Sequence, residues 1–390
     1  MSTTRRQFLT ATLQGTSVLA LGGLAPGFLL EAAEAGGNDG LNTVVPFADA
    51  EYYKLRPKLA LPKSELLKID DSLAFAPSLK GFAKRLEANE LAIVQGVGYP
   101  DPNRSHFESM DIWHTCQRKT DRRSAGWLGR YLESLPVGDV AGTHVGGGKQ
   151  PLALTAEKAR VPSVESLEQF RLELKRAEST AAVQELAKAR REESSDLLGF
   201  LQSNTSSAID VSERLATAAK GHAPKTPYPQ SDLARKLQLV GQLIASEFPA
   251  RIYYVELDGF DTHSQQGAAH AGLLRQLGEG VEAFVADVKE QGNGERVLSM
   301  VFSEFGRRVA ENASEGTDHG AAAPMFLIGG NVRAGVIGKH PSLTDLDEGD
   351  LKHHTDFRRV YATVLERWLG AASETLLGGR FAVMDGLLRS

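Results

Sequence analysis

Residues 297–320 read VLSMVFSEFGRRVAENASEGTDHG, and the fold is decided here. Val297 to Phe302 is a short, mainly apolar run of strand length, bounded by charge on one side and glycine on the other. Where the strand must stop, Ser303 and Glu304 follow, then Gly306, Arg307 and Arg308, and later Asp318-His319-Gly320. In open α/β sheets ligands bind just beyond the carboxyl ends of the strands. A carboxylate, an arginine pair and an Asp-His dipeptide are therefore placed where chemistry is expected. Carboxylate and imidazole are also ligand types that zinc, manganese and similar metals accept. Each piece also has a plain reading, as a solvated turn residue or a chance dipeptide, and the rest of the chain supplies the weight.

The pattern recurs upstream. Arg251 to Leu257 alternates and is rich in Ile, Tyr and Val, which predicts a strand running into Asp258-Gly259-Phe260-Asp261-Thr262-His263. Asp261 and His263 are two apart, so in extended chain they share a face, which suits two ligands on one metal; a turn with a capping Asp is the alternative. Leu91 to Gln95 predicts a buried strand, followed by a Pro- and Gly-rich loop ending at Asn103-Arg104-Ser105-His106-Phe107. Phe107, Met110 and His114 then keep helical spacing. Ser105 with Glu108 matches a capping box. A hydroxyl at a helix start beside Arg104 is also a place for an anion or a nucleophile.

The remaining periodicities fill in an alternating α/β chain. Helices are predicted over Ala76 to Asn89, Leu233 to Ala245 and Leu273 to Lys289, and strands over Leu152 to Thr155 and Pro324 to Gly330. Residues 41–62, with several prolines and little period, read as a long ordered loop. Phe357, Val360, Tyr361, Val364, Leu365, Trp368 and Leu369 form an unbroken helical stripe, entered through His353-His354-Thr355-Asp356, where Thr355 or Asp356 can cap. From Ser163 to Gly221 the composition shifts to Glu, Lys, Arg, Ala and Leu, as in surface helices of a cap or insertion.

The 390 residues allow one large α/β domain with an insertion, or two domains. The net charge of -5, with no basic stripe, gives no sign of nucleic-acid binding. Cys116 is the one cysteine, which excludes an internal disulfide and any cysteine-rich metal site. At the N-terminus, Arg5-Arg6-Gln7-Phe8-Leu9 precedes an uncharged, mildly hydrophobic stretch from Thr10 to Leu30, broken by glycines and Pro26. Ala33-Glu34-Ala35 then has the small-x-small form of a cleavage site. This reads as a Tat export signal and a poor membrane span, so a periplasmic or cell-surface protein with no stable span after processing is expected. Removing residues 1–35 takes away Arg5, Arg6, Glu31 and Glu34, leaving the net charge unchanged.

The motifs GGNDGLN (36–42), NRSHF (103–107), GFDTH (259–263), SEFGRR (303–308), GTDHG (316–320) and TDFR (355–358), in this order, resemble the Tat-exported domain-of-unknown-function family fifteen-zero-one. That family is similar to the alkaline phosphatase and sulfatase superfamily. The resemblance covers nearly all of the chain after the leader. It implies an α/β fold, a mixed and mostly parallel sheet between helices, in three parts: core over 36–155, helical insertion over 156–227 and core over 228–390, with most metal motifs in the last. It implies two divalent metals (zinc, manganese or calcium) held by Asp and His, and a Ser, Thr or modified Cys nucleophile. Carried over, Asp39 matches the first metal Asp, Asp261 and His263 an acidic-His pair, and His354 the late His ligand. Ser105 is the candidate nucleophile, Arg307 the group for an anionic substrate, and Arg104 and His106 flank as substrate-binding candidates. The superfamily's Asp-His-Gly normally follows its strand directly. Here Ser303-Glu304-Phe305-Gly306 holds that place, with Phe where His belongs, so Glu304, Asp318 and His319 are all expected to line the site.

Three departures stand out. No strand-like run precedes Gly36 apart from the leader, so either the sheet loses an edge or centre strand, the one that normally holds Asp39, or the cleavage differs. Asp258 adds a carboxylate beside GFDTH that could alter metal preference. Cys116-Gln117-Arg118-Lys119 does not match the formylglycine sulfatase motif. Two functions follow: an exported metal-dependent hydrolase or transferase acting on small phosphate or sulfate esters, or a non-catalytic periplasmic or surface-assembly protein keeping a degenerate form of the fold.

Overall fold

A computed structural model describes residues 28–34, 36–118, 123–136, 142–159, 161–165 and 222–389. Its centre is a nine-stranded sheet. In chain order the strands are β1 (Phe28–Glu34), β2 (Leu91–Gly98), β3 (Gly142–Val145), β4 (Ser163–Val164), β5 (Ile252–Leu257), β6 (Val297–Phe302), β7 (Ala323–Ile328), β8 (Gly335–Ile337) and β9 (Thr355–Asp356). They lie in the order β8-β2-β7-β6-β1-β5-β3-β4, with β9 also paired to β2. Only β7 runs antiparallel to its neighbours among these strands. The expected class, α/β with a mixed and mostly parallel sheet between helices, is the observed one.

Both faces of the sheet are covered, so its strands are apolar on successive residues rather than alternately. One core holds Leu30, Ile93, Tyr253, Val255, Val301 and Phe326; the other holds Leu29, Val94, Tyr254, Met300 and Leu327. The first lies under the helices Lys80–Glu87, Asp232–Ala245 and Gln266–Glu290, the second under His106–Thr115, Trp127–Ser134 and Phe357–Thr363. Trp113 stacks between Phe302 and Phe357, with ring centroids 5.0 and 4.3 Å away.

The sheet corrects the expectation of a missing strand. β1 stands in the middle, bonded in parallel register to β5 on one side and β6 on the other. The leader pattern hid it, because its apolar part, Phe28 to Leu30, continues the uncharged export stretch, and Glu31 and Glu34 break the apolar run expected of a doubly covered strand. Smaller differences are local. Leu152–Leu154 is a 3₁₀ turn rather than a strand, and the stretch after Gly40 contains Val44–Val45, part of a three-stranded sheet, and a helix over Ala50–Leu55. The core helix beginning at Phe357 is capped by Asp356, which accepts from Arg358 N at 3.0 Å, and passes into a π turn over Val364–Trp368. Most of the expected helical insertion, residues 166–221, lies outside the described residues. Among the described residues no helix is long and apolar enough to cross a membrane.

Because the parallel strands share a direction, the segments after β1, β2, β5 and β6, and the one before the reversed β7, all reach one edge of the sheet. Leu30 is 1 % exposed in the centre of this arrangement. Leu30→Ala is expected to lower unfolding stability by about 2–5 kcal/mol, the usual range for a buried leucine. Denaturant titration checks it, and a change under about 1 kcal/mol would contradict a central β1.

Candidate metal centre

Three imidazoles meet one carboxylate at this edge. Asp261 Oδ1 lies 3.3 Å from His106 Nε2, 2.9 Å from His263 Nε2 and 3.1 Å from His319 Nε2. The ring nitrogens of His263 and His319 are 2.9 Å apart. Among the described residues, His106, Asp261 and His319 bring one donor atom each within 4.8 Å of one another.

The backing of each ring fixes its tautomer. His319 Nδ1 faces Arg104 O at 2.7 Å, and a carbonyl only accepts, so Nδ1 carries the proton. His106 Nδ1 faces Glu304 Oε1 at 2.8 Å and is a donor for the same reason. In the neutral rings both Nε2 atoms then turn lone pairs toward Asp261 Oδ1. His106 Nε2 is buried without a hydrogen bond. Three electron-rich atoms converging on one point require a cation between them, either a proton or a metal ion, so the donor set fits zinc or manganese.

Glu304 is 1 % exposed, and its carboxylate accepts from Gly36 N, Ser303 Oγ and His106 Nδ1. It therefore backs a ligand rather than joining the set, as carboxylates behind metal-binding histidines do. The hydrogen bond from His106 to Glu304 holds the His106 pKa above its usual value. Asp318 stands behind His263, with Oδ1 3.5 Å from Nδ1, and is fixed by Asn312 Nδ2 at 3.2 Å. Phe305, in the place expected for a histidine, is buried and lies 4.9 Å from the ring centres of both His106 and His319.

Arg307 departs from its expected role. It is 1 % exposed and reaches no open space. Its guanidinium donates to the carbonyls of Gly36, Gly37, Phe260 and Thr317 and, at 2.8 Å, to Asp261 Oδ1. It thus ties the ends of β1 and β5 to the segment before β7 from a buried position. Burial pushes the Asp261 pKa up, but the Arg307 guanidinium outweighs this and holds it below the ordinary carboxylate range. The pairing is local in origin: Arg307 forms an antiparallel bridge with His319, and Gly320 sits so close to the Arg307 carbonyl carbon that a Cβ would meet it at 2.6 Å.

Asp39 also departs from expectation. It is 0 % exposed and bonded to Arg56 Nη1 at 2.6 Å and Gln266 Nε2 at 2.5 Å. Arg56, itself 0 % exposed, further donates to Asn42 Oδ1, Val309 O and Arg308 O. A guanidinium therefore stands at Oδ2 of Asp39, while Oδ1 is buried without a hydrogen bond. His354, expected as the late ligand, is not a member of the cluster formed by His106, Asp261 and His319. Its main-chain N–H donates to Gly96 O at 3.0 Å. Its ring packs on the bare face of Gly96, where an added Cβ would lie 2.4 Å from Nε2. Thr355 Oγ1 stands 3.3 Å from its Nδ1.

Ser105 is exposed at the N-cap of the His106–Thr115 helix, and its hydroxyl makes no capping bond. The expected capping box does not form, because Glu108 pairs with Arg123 instead. Ser105 stands between Arg104, whose carbonyl holds His319, and His106, whose ring joins the cluster. The Arg104 guanidinium is bonded to Asp350 at 2.8 Å and Glu348 at 3.3 Å and lines a cleft of about 660 Å³ shared with Asn103, Ala321 and His353. Asp258 is exposed and bonds Gly259 N, outside the cluster.

A family profile described as "Protein of unknown function (DUF1501)" matches residues 33–376. The chain belongs to this family. No curated protein matches it. Among solved structures it is similar to the C-terminal periplasmic domain of EcEptC from Escherichia coli in complex with Zn, at 9 % identity and TM-score 0.39, over 79 % of this chain and 73 % of that one. It is also similar to a sulfatase from Pseudoalteromonas sp., at 13 % identity and TM-score 0.43, over 100 % and 78 %. A third is a protein in the alkaline phosphatase superfamily from Vibrio parahaemolyticus, at 8 % identity and TM-score 0.43, over 92 % and 69 %.

Within this DUF1501 chain, sequence reasoning missed Arg56 and the role of His106. Arg56 lies in a stretch without period, and nothing local marks it as the partner of Asp39, 17 residues away. His106 had a usable signal, since a histidine in the first turn of a helix that follows a strand projects toward the sheet edge. The Asp39–Arg56 pair makes a prediction. Burial raises the Asp39 pKa, but Arg56 outweighs it and the net shift is downward, so the pair stabilises the fold above about pH 4 and the contribution is lost as pH falls through the depressed value. Asp39→Asn is expected to cost about 3–5 kcal/mol at about pH 7, as when one partner of a buried pair is removed, and to flatten the acid limb of the stability curve. Denaturant titrations between about pH 3 and pH 7 (a range chosen to span the carboxylate values) check both.

Proposed function

We propose that this chain is an exported metal-dependent hydrolase of phosphate or sulfate esters, built on one divalent ion rather than two. The observation that carries the reading is the convergence of His106 Nε2, His319 Nε2 and Asp261 Oδ1, two lone pairs and a carboxylate oxygen held by separate backing groups. His106, Asp261 and His319 would hold the ion, with His263 at the open side. Bound there, the ion supplies Lewis acidity and lowers the pKa of an oxygen nucleophile. Glu304 and the Arg104 carbonyl keep the two rings in the tautomer that presents Nε2. Arg307 keeps Asp261 ionised and aimed. Ser105 Oγ, exposed and unused as a cap, is the candidate nucleophile, and Arg104 presents a partly exposed guanidinium to the ester's charge.

The capture of Asp39 by Arg56 and of Arg307 by main-chain carbonyls favours a second reading, a binding protein that holds one ion and turns nothing over. Elemental mass spectrometry with an ester screen separates the two. About one zinc or manganese per chain, lost in His106→Ala/His319→Ala, with turnover abolished by Ser105→Ala while metal is retained, is the expected result. Metal without turnover on phosphate and sulfate esters leaves the binding reading, and no metal in the folded protein removes both.

Two further outcomes follow from the geometry. Glu304→Gln is expected to weaken metal affinity about 10–100-fold, the usual effect of altering a ligand's backing carboxylate, as read by competition with a chromophoric chelator. Metal binding requires His106 neutral, and its pKa is raised, so affinity is expected to fall as pH is lowered, beginning above the ordinary histidine value of about 6.5. An affinity independent of pH between about 5 and 8, the span in which histidine changes charge, would contradict this ligand set.

A further inference from the structure

β1 occupies the segment that the leader pattern marks for removal. Leu29 to Glu34 pairs with Ile252 to Leu257, and Phe28 to Ala33 pairs with Val297 to Phe302. Leu29 and Leu30 are 0 % and 1 % exposed, one in each of the two cores. A cut after Ala35 would remove the whole of β1 and leave β5 and β6 facing each other across a gap one strand wide. Two buried rows of main-chain N–H and C=O groups would lose their partners, which folded proteins do not tolerate. β5 and β6 cannot simply close on each other, because each carries its own half of the sheet and its own helices.

The same cut would reach the metal centre. Gly36 N donates to Glu304 Oε1 at 3.0 Å, and the Gly36 and Gly37 carbonyls hold Arg307. With residue 35 gone, the Gly36 and Gly37 carbonyls lose the strand that places them against Arg307. A chain that folds before export would also present Ala33 to the processing enzyme from inside a sheet, paired on both sides, where an extended free segment is needed.

We propose that Ala33-Glu34-Ala35 is not a processing site in the functional protein, and that β1 is retained after export as the strand that positions the metal centre. Any cut lies N-terminal to Phe28. The leader's apolar end thus serves twice, first in targeting and then as the middle of the sheet.

The test is the N-terminus of the exported protein. The full 390-residue chain is expressed in a Tat-competent bacterium, recovered as folded protein and measured by intact mass and N-terminal peptide mapping. A chain beginning at or before Phe28 is expected, and a chain left uncut meets the same expectation. Ala35→Gln, which spoils the small-residue requirement of the pattern, is expected to leave mass and yield unchanged. A folded protein beginning at Gly36, or a switch from shorter to longer chain in Ala35→Gln, overturns the proposal. The readout is a mass, so it stands or falls independently of metal content and of the proposed activity.

Discussion

A single buried guanidinium holds this site together. Arg307 is surrounded by the carbonyls of Gly36, Gly37, Phe260 and Thr317 and by the Asp261 carboxylate. These acceptors come from the ends of two parallel strands and from the segment that leads into the reversed one. Five donors in a rigid plane suit such a task, because each direction is fixed once the plane is fixed. The charge is compensated by one carboxylate and by oriented dipoles, and the result is that Asp261 is presented ionised to three imidazoles. Arginine here acts as a bolt between loops, and the chemistry of the edge depends on it without touching a ligand.

Arg56 has the same design. It joins Asp39 and Asn42 after β1 to the carbonyls of Arg308 and Val309 after β6. Two interior guanidiniums therefore stand where the resemblance implied a substrate clamp and a second metal. Cations are still present beside the carboxylates, but they are covalent parts of the chain. Among the described residues, the point between His106, Asp261 and His319 is where donor atoms gather for a cation supplied from outside.

Much of the fold was legible in the sequence. The strand over Val297 to Phe302 is found with the bounds its apolar run suggests, and the stripe from Phe357 begins a buried helix as its spacing requires. These elements are decided by local pattern, since a doubly covered strand and a core helix each carry their signature in a few consecutive residues. The motifs after the strands were legible for the same reason, because turns at a sheet edge keep their short polar sequences together. What was not legible depends on distance. Whether an arginine faces a substrate or a carbonyl is set by segments hundreds of residues apart, such as Gly36 and Arg307. β1 was not legible because its apolar part, Phe28 to Leu30, continues the leader stretch and Glu31 and Glu34 follow it, so that pairing on both sides is what marks it as a strand.

The reversed direction of β7 has a consequence for variation. β6 and β7 are neighbours, so the chain from Ser303 to Ala322 leaves and re-enters the sheet edge at almost the same place. Its two limbs pair near their base, where Arg307 faces His319. Glu304, Phe305 and Arg307 lie on the outgoing limb and Asp318 and His319 on the returning one, both fastened to the sheet. The tip between them, around Asn312 to Glu315, is closed by its own turn bonds, and its Ser314 and Glu315 carbonyls accept from Gln265 N and Gln266 N at the start of the Gln266–Glu290 helix. Residues added at that tip would pull these two carbonyls away from the helix start, so the loop is fixed at its far end as well as at its base. Change that leaves the site in register is thus confined to side chains of this segment, with its length and its two anchored ends kept.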